Sequence, residues 1–119
     1  MSDNSKDMVK IIYDALDDKK AEDIKVLDIR DVTVLADYFI IAHGNNINHV
    51  KTLIDNTEEA LEKEGYFAKQ KEGYSTGTWV LLDYGNVIIH IFGKEDRLFY
   101  DLERVWRDGK EINLQDVNN

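Results

Sequence analysis

The sequence of 119 residues contains no cysteine and no proline. Without cysteine the chain can form neither a disulfide nor a thiolate zinc site. It is nevertheless long enough to bury a hydrophobic core that folds without such cross-links. Because proline and Gly/Ser-rich stretches are both missing, no linker divides the chain, and we predict a single domain.

Basic residues are also scarce, since 15 Lys and Arg stand against 24 Asp and Glu, for a formal charge of −9. This surplus of negative charge disfavours direct binding to nucleic acid, which requires Lys and Arg to neutralise phosphates. It favours a basic partner, a class that includes many ribosomal proteins. The alternative interpretation is that the charge only keeps the protein soluble.

No leader and no membrane span are evident in the sequence. Residues 1–7 are polar and acidic, and no apolar run approaches the roughly 20 residues that cross a bilayer. We therefore expect a cytoplasmic protein with no membrane partner.

Hydrophobic periodicity predicts alternating helices and strands. The predicted elements are a helix over 4–18, strands over 24–29 and 38–42, a helix from Asn46 to Gly65, a short strand within 66–77, a hairpin of 79–83 and 87–92, and a helix over about 95–106. This order predicts the α/β class, with a mixed sheet and helices packed on it. We place the domain at residues 1–106 and a polar C-terminal tail at 107–119.

The hairpin can be divided into two faces, because side chains alternate across a strand and a tight turn fixes which residues are opposite. One face is purely apolar and is predicted to be core: Val80, Leu82, Val87, Ile89 and Ile91. The other face adds two ionisable groups to apolar side chains: Trp79, Leu81, Asp83, Ile88, His90 and Phe92. Either a helix covers this second set, with Asp83 and His90 paired internally, or it is partly open and Trp79 anchors a protein partner.

Motifs for catalysis are missing. The sequence has neither of the common glycine-rich phosphate loops, and no D-x-D pair that would hold Mg²⁺. Three histidines, His43, His49 and His90, lack the paired spacing of a metal site. We therefore predict no enzyme activity, no cofactor and no metal.

Four stretches, in order and with matching spacing, resemble the Iojap family of ribosomal silencing factors (RsfS). They are Lys20–Asp28, Leu35–Gly44 with the following His49-Val50, Trp79–His90, and Phe99–Trp106. Together they span about residues 8–106, nearly the whole predicted domain.

The resemblance implies a fold related to nucleotidyltransferases but without their catalytic aspartates. It also implies binding to the large ribosomal subunit at its fourteenth ribosomal protein, which blocks joining with the small subunit and represses translation. The partner-binding residues that the resemblance implies are Trp79, Leu81, Asp83 and His90 of the hairpin, and Tyr100, Asp101 and Glu103 of the last helix. Trp79 would be the apolar anchor, and the acidic groups would meet Lys or Arg.

Two alternatives remain at this level, a large-subunit assembly chaperone that uses the same surface and a diverged nucleotidyltransferase. A homodimer off the ribosome is a further hypothesis, since the apolar face with Trp79 would otherwise be exposed to water when no ribosome is bound. The sequence departs from the family in having His43 before Gly44 and Asn46 two residues after it, where small hydroxyl residues are common. Asn46 can still cap a helix, so the departure leaves the predicted fold unchanged.

Overall fold

Helices and strands follow one another in nearly the order that the periodicity predicts. In the computed structural model, the described residues are 4–101, 104 and 109–112. Their elements are α1 (Asn4–Asp18), β1 (Glu22–Asp28), β2 (Tyr38–Gly44), α2 (Ile47–Lys63), β3 (Gln70–Glu72), β4 (Trp79–Asp83), β5 (Val87–Gly93), α3 (Lys94–Tyr100) and β6 (Lys110–Ile112).

The strands form one mixed sheet in the order β3-β4-β5-β2-β1-β6. β2 and β5 are parallel, and every other neighbouring pair is antiparallel. The prediction of an α/β domain with a mixed sheet is confirmed. β2 lies inside the sheet and nearly all of its residues are buried, as its continuous apolar sequence predicts.

Both long helices pack on the same face of this sheet, which we call the helical face. Their apolar stripes meet alternate residues of the four inner strands in one buried cluster. The fully buried members include Val9, Ile12, Leu16, Val50, Leu53, Ile54, Leu61, Ile40, Val80, Leu82, Val87, Ile89 and Ile91. The face of the hairpin that was predicted to be core therefore is core.

Local hydrogen bonds fix where α2 begins and how it meets α1. The side chain of Asn46 accepts a hydrogen bond from the backbone N–H of His49 at 2.8 Å, which caps the helix as predicted. His49 Nδ1 in turn accepts from the N–H of Asn45 at 2.9 Å, so Nε2 carries the proton and donates to the carbonyl of Lys19 at 2.8 Å. His49 thus connects the start of α2 to the chain just after α1.

The C-terminal part differs from the prediction in two places. The helix predicted over about 95–106 is interrupted after Tyr100, where Asp101 adopts a left-handed conformation with φ of 48° and its N–H bonds back to the carbonyl of Arg97, and Arg104 is again helical. The expected tail also contains β6, which pairs with β1 at the edge of the sheet. The predicted core residues Leu102, Val105 and Trp106 lie outside the described residues.

None of the helices in the described part of the chain is long and apolar enough to cross a membrane.

We expect the central strand to dominate stability. Ile40 is fully buried whereas Ile47 is half exposed at the start of α2. Ile40→Ala should lower the free energy of unfolding by about 2–5 kcal/mol, because it leaves a cavity between helices and sheet. The same deletion in Ile47→Ala should change it by about 0.5 kcal/mol or less. Urea unfolding measures both, and equal losses would contradict this account of the core.

Candidate functional site

The hairpin has the register that its turn predicts. The N–H of Tyr84 bonds to the carbonyl of Val87, so Gly85 and Asn86 form a two-residue turn. Trp79 is therefore opposite Phe92, Leu81 opposite His90, and Asp83 opposite Ile88. These six side chains share the side of the sheet that faces away from α1 and α2, which we call the second face.

The second face has a small core of its own. Its buried cluster contains Leu27, Ile29, Ala36, Phe39, Ile41 and Phe92, with Trp79 and Ile88 packed partly buried against it. Trp79, Leu81 and Asp83 are all half-buried, because β4 is next to the short edge strand β3. On β4 the second face is thus partly open, the condition that one of the two interpretations of the sequence requires.

Trp79 and His90 are held together within this face. The indole Nε1–H of Trp79 donates to Nδ1 of His90 at 3.1 Å. Because an indole nitrogen only donates, Nδ1 must be unprotonated and the neutral imidazole carries its proton on Nε2. The bond fixes the orientation of the indole, with its ring centroid 5.2 Å from that of Phe92.

His90 is buried and surrounded by aromatic rings. Its exposed fraction is 4%, and its ring centroid is 4.9 Å from that of Phe39 in an edge-on arrangement. Burial lowers the pKa of His90 to about 4, so the ring is neutral near pH 7. Among the described residues, no atom accepts a hydrogen bond from its buried Nε2. His90 therefore supports Trp79 from beneath, and a partner could reach it only if other side chains moved.

A shallow groove of about 300 Å³ borders Trp79 and Leu81 where β4 meets the loop after β3. Glu72 and Gly73 form its other wall. Gly73 has φ of +81°, and a Cβ there would collide with the backbone carbonyl of Trp79. Only glycine lets the loop approach β4 so closely. The groove offers a partner an apolar wall next to one carboxylate.

Asp83 has a local structural role as well as a charge. One carboxylate oxygen accepts from the N–H of Gly85 at 2.7 Å, which stabilises the turn. The sequence left open whether Asp83 is paired internally, and this backbone bond is the internal partner that the structure gives it. Asp83 lies at the opposite end of β4 from Trp79. The rise per residue of a strand puts the two residues about 13 Å apart.

The structure describes only in part the partner-binding residues that were predicted on the last helix. Tyr100 is the last residue of α3, but its side chain is not among those described. Asp101 is exposed, with a carboxylate oxygen 3.9 Å from Nε of Arg104. Glu103 lies outside the described residues. The structure therefore does not test whether these three residues join the hairpin in one surface.

One network that the sequence analysis missed attaches α3 to the sheet. The buried Arg97 donates from Nη1 to the carbonyl of Asp23 at 2.7 Å and to Nδ1 of His43 at 2.8 Å. His43 shares the side-chain parity of Phe39, so this contact brings α3 back over the second face. Burial and the positive charge of Arg97 both lower the pKa of His43.

His43 thus contacts the protein's own arginine. No group of three or more His, Asp or Glu side chains within the described residues is arranged to hold a metal ion.

Sequence signals existed for some of the missed residues and not for others. A glycine between polar residues, such as Gly73, indicates a turn, but not that the turn lies against Trp79. Likewise Arg97 on a short amphipathic segment looks like a surface residue. The irregularity of β1 between Glu22 and Lys25, where Asp23 has φ of 50°, lies at the carbonyl to which Arg97 donates, and no sequence pattern indicates it.

The buried imidazole predicts a loss of stability in mild acid. The unfolded chain takes up a proton on His90 near pH 6.5, whereas the folded chain does so only near pH 4. Stability is therefore full above about pH 6.5 and falls as the pH drops towards 4. Between pH 7 and 5 we expect His90 to account for a loss of about 2 kcal/mol.

Urea unfolding at pH 7, 6 and 5 measures this loss. His90→Asn keeps an acceptor near Nδ1 but cannot titrate, so its unfolding free energy should fall less over the same range. His43 contributes in the same direction, so some loss should remain in the variant. An identical pH dependence in the two proteins would contradict the assignment to His90.

Comparison with known proteins identifies the family. The family model described as "ribosomal silencing factor during starvation" (RsfS) matches residues 2–119. The ribosomal silencing factor RsfS of Bacillus subtilis is 40% identical, over 93% of this chain and 94% of that protein. Its counterpart in Halalkalibacterium halodurans is 33% identical, over 96% and 97%. The chloroplastic Iojap protein of Arabidopsis thaliana is 33% identical over 82% of this chain and 40% of its own length.

Solved structures agree with these sequence matches. A crystal structure of a Bacillus halodurans protein has a TM-score of 0.81 at 32% identity, covering 91% of this chain and 98% of that one. An X-ray structure of a Chromobacterium violaceum protein has a TM-score of 0.83 at 33% identity, covering 90% and 88%. The resemblance of the four sequence stretches is thereby confirmed, and the chain belongs to the ribosomal silencing factor (RsfS) family.

Proposed function

We propose that this protein represses translation by binding the large ribosomal subunit at its fourteenth ribosomal protein and sterically blocking the small subunit. The relatives' names denote silencing of ribosomes, which is regulation of translation rather than catalysis. In this proposal the protein acts stoichiometrically in the cytoplasm, where subunits join, and no chemical step takes place.

The observation that carries the proposal is the half-open hairpin with an anchored Trp79. A large aromatic side chain that is already oriented loses little conformational freedom when a partner covers it. Such residues, in the centre of an interface, supply most of its binding energy. Leu81 and the adjoining groove extend the apolar contact, and His90 contributes from beneath by fixing the indole.

Charge supports the identity of the partner. The protein carries a formal charge of −9, and Asp83 lies at one end of the apolar contact on β4. Ribosomal proteins are commonly basic, so complementary charge would speed association and orient the complex. Asp101 is exposed and would add to the acidic rim if α3 faces the same partner. Tyr100 and Glu103 remain part of the proposed interface on the strength of the family resemblance alone.

Sedimentation of purified large subunits with this protein tests the proposal. We expect the wild type to co-sediment and to lower the yield of full ribosomes when small subunits are added. Trp79→Ala should bind at least about 30-fold more weakly, because the loss of a central interface tryptophan costs about 2 kcal/mol or more. It should consequently lose the block on joining.

Two controls separate binding from folding. Circular dichroism must show that Trp79→Ala is folded, since this variant also removes the donor to His90. Leu81→Lys leaves that hydrogen bond intact and puts a positive charge where a basic partner would sit, so it should also bind weakly. Binding without any effect on joining would favour the assembly chaperone instead. No binding at all would reject the proposal, and divalent-metal-dependent nucleotide binding would then be the next assay.

We also propose that the protein forms a homodimer off the ribosome, which would shelter the half-buried Trp79 and the groove beside it. Light scattering from about 1 to 200 μM should show a mass that rises with concentration, as expected for a weak dimer. Trp79→Ala should stay monomeric over this range. A wild-type protein that is monomeric throughout would reject the dimer without affecting the ribosomal proposal.

A further inference from the structure

The loop between β1 and β2 exposes an unusual concentration of apolar surface. Three large aliphatic side chains within four residues face solvent, with exposed fractions of 41% for Val32, 102% for Val34 and 66% for Leu35. Scattered apolar residues on a surface need no explanation, but three within four residues on an acidic protein indicate contact with a partner.

The loop is held in a defined shape. The N–H of Ile29 bonds to the carbonyl of Asp37 at 3.0 Å, which closes its two ends. Within it, the N–H groups of Val32 and Thr33 both bond to the carbonyl of Ile29, and the hydroxyl of Thr33 accepts from the N–H of Leu35 at 3.1 Å. The aliphatic side chains are therefore presented by an ordered backbone, which lowers the entropy lost on binding.

The base of the loop joins it to the second face. Ile29 and Ala36 are buried in the same cluster as Phe39 and Phe92, against which Trp79 packs. The N–H of Asp37 also bonds to the carbonyl of Asn86 in the hairpin turn at 2.8 Å. Loop and hairpin are thus parts of one continuous side of the molecule.

The dimensions of an ordinary interface fit this combined surface better than the hairpin alone. Across the sheet, the distance from β4 to the two strands that the loop joins is two to three strand spacings, or about 10–14 Å. Trp79 lies about 13 Å along β4 from the end nearest the loop. A standard interface takes about 800 Å² from each partner, a patch roughly 30 Å across. A five-residue strand about 17 Å long cannot fill such a patch, whereas the strand and the loop together can.

The charges around the loop indicate the kind of partner. Arg30 forms an ion pair with Asp28, with 2.6 Å between Nη2 and Oδ2, and its guanidinium also lies over the ring of Tyr38. The exposed Asp31 and half-buried Asp37 then leave the rim of the apolar patch negative. Such a rim repels the phosphates of RNA and of anionic lipid, and it complements a basic protein surface.

We infer that the loop carrying Val32, Val34 and Leu35 is a second contact region for the basic ribosomal protein that the hairpin binds. This inference rests on the proposed function and extends it by a surface that Trp79 does not include. The aliphatic tip would insert among the apolar stems of Lys or Arg side chains on that protein, with Asp31 and Asp37 meeting their charged ends.

The test compares a Val34→Ser/Leu35→Ser double variant with the wild type in sedimentation with purified large subunits. Burial of two aliphatic side chains predicts that the variant binds at least about tenfold more weakly. Ile47→Ser is the control, because it removes a half-exposed aliphatic side chain at the start of α2, outside the loop. Both should unfold at the wild-type urea concentration, since the altered side chains are exposed.

The possible outcomes separate the inference from the proposal on which it rests. Tenfold weaker binding by the loop variant, with wild-type binding by Ile47→Ser, would support the inference. Wild-type binding by both variants would overturn it while leaving the proposed function intact. Wild-type protein that fails to bind would overturn both. If light scattering shows that the loop variant abolishes a homodimer while binding is unchanged, the loop contacts a second copy and the inference is wrong.

Discussion

The parallel pairing of β2 with β5 is the constraint on which the rest of the structure depends. It runs over seven residue pairs, from Tyr38 opposite Val87 to Gly44 opposite Gly93. Because both strands lie inside the sheet, each must be covered on two faces, and the two long helices can cover only one. The second face therefore has to be closed by smaller parts, and it is there that Trp79 remains half-buried.

The contact between Trp79 and His90 shows how a half-open face can stay ordered. An indole that is only partly packed would sample several rotamers, and a bond to a buried acceptor selects one of them. The same bond requires a neutral imidazole, which burial among aromatic rings ensures at neutral pH. The arrangement fixes the orientation of the Trp79 side chain, and it lowers the free energy of unfolding in mild acid. It also explains why an ionisable residue on an otherwise apolar face need not be a catalytic group.

Much of the fold could be predicted from the sequence because it follows from local periodicity. The bounds of α1, the capping of α2 by Asn46 and the two faces of the hairpin depend on residues close together in the chain. The pairing of Lys110–Ile112 with β1 joins segments that are distant in the chain, so no local pattern indicates it. The left-handed Asp101 is a local break, but an aspartate within a helical pattern does not by itself indicate one, which is why the break after Tyr100 was not predicted.

The candidate site was predictable to a similar degree. Alternation alone placed Trp79, Leu81, Asp83 and His90 on one face, and the family resemblance made them candidates for binding. The sequence could not reveal how deeply each side chain is buried, and His90 lies beneath Trp79 rather than beside it. Nor could it reveal that Asp83 stabilises its own turn. How deeply a side chain is buried depends on which neighbouring segments cover its strand. At Trp79 the neighbouring segment is the loop whose close approach Gly73 permits.

Under the proposed function, an acidic protein would have to select a small protein surface amid a great excess of RNA. A formal charge of −9 repels phosphate over a range of about 10 Å at ordinary ionic strength, so it would keep the protein away from most of the particle. The protein would approach only where a basic protein is exposed, and there the same charge would be attractive. Rejection of RNA and attraction to protein would then be two consequences of one property, and specificity would arise from it even if affinity came mainly from a few apolar side chains.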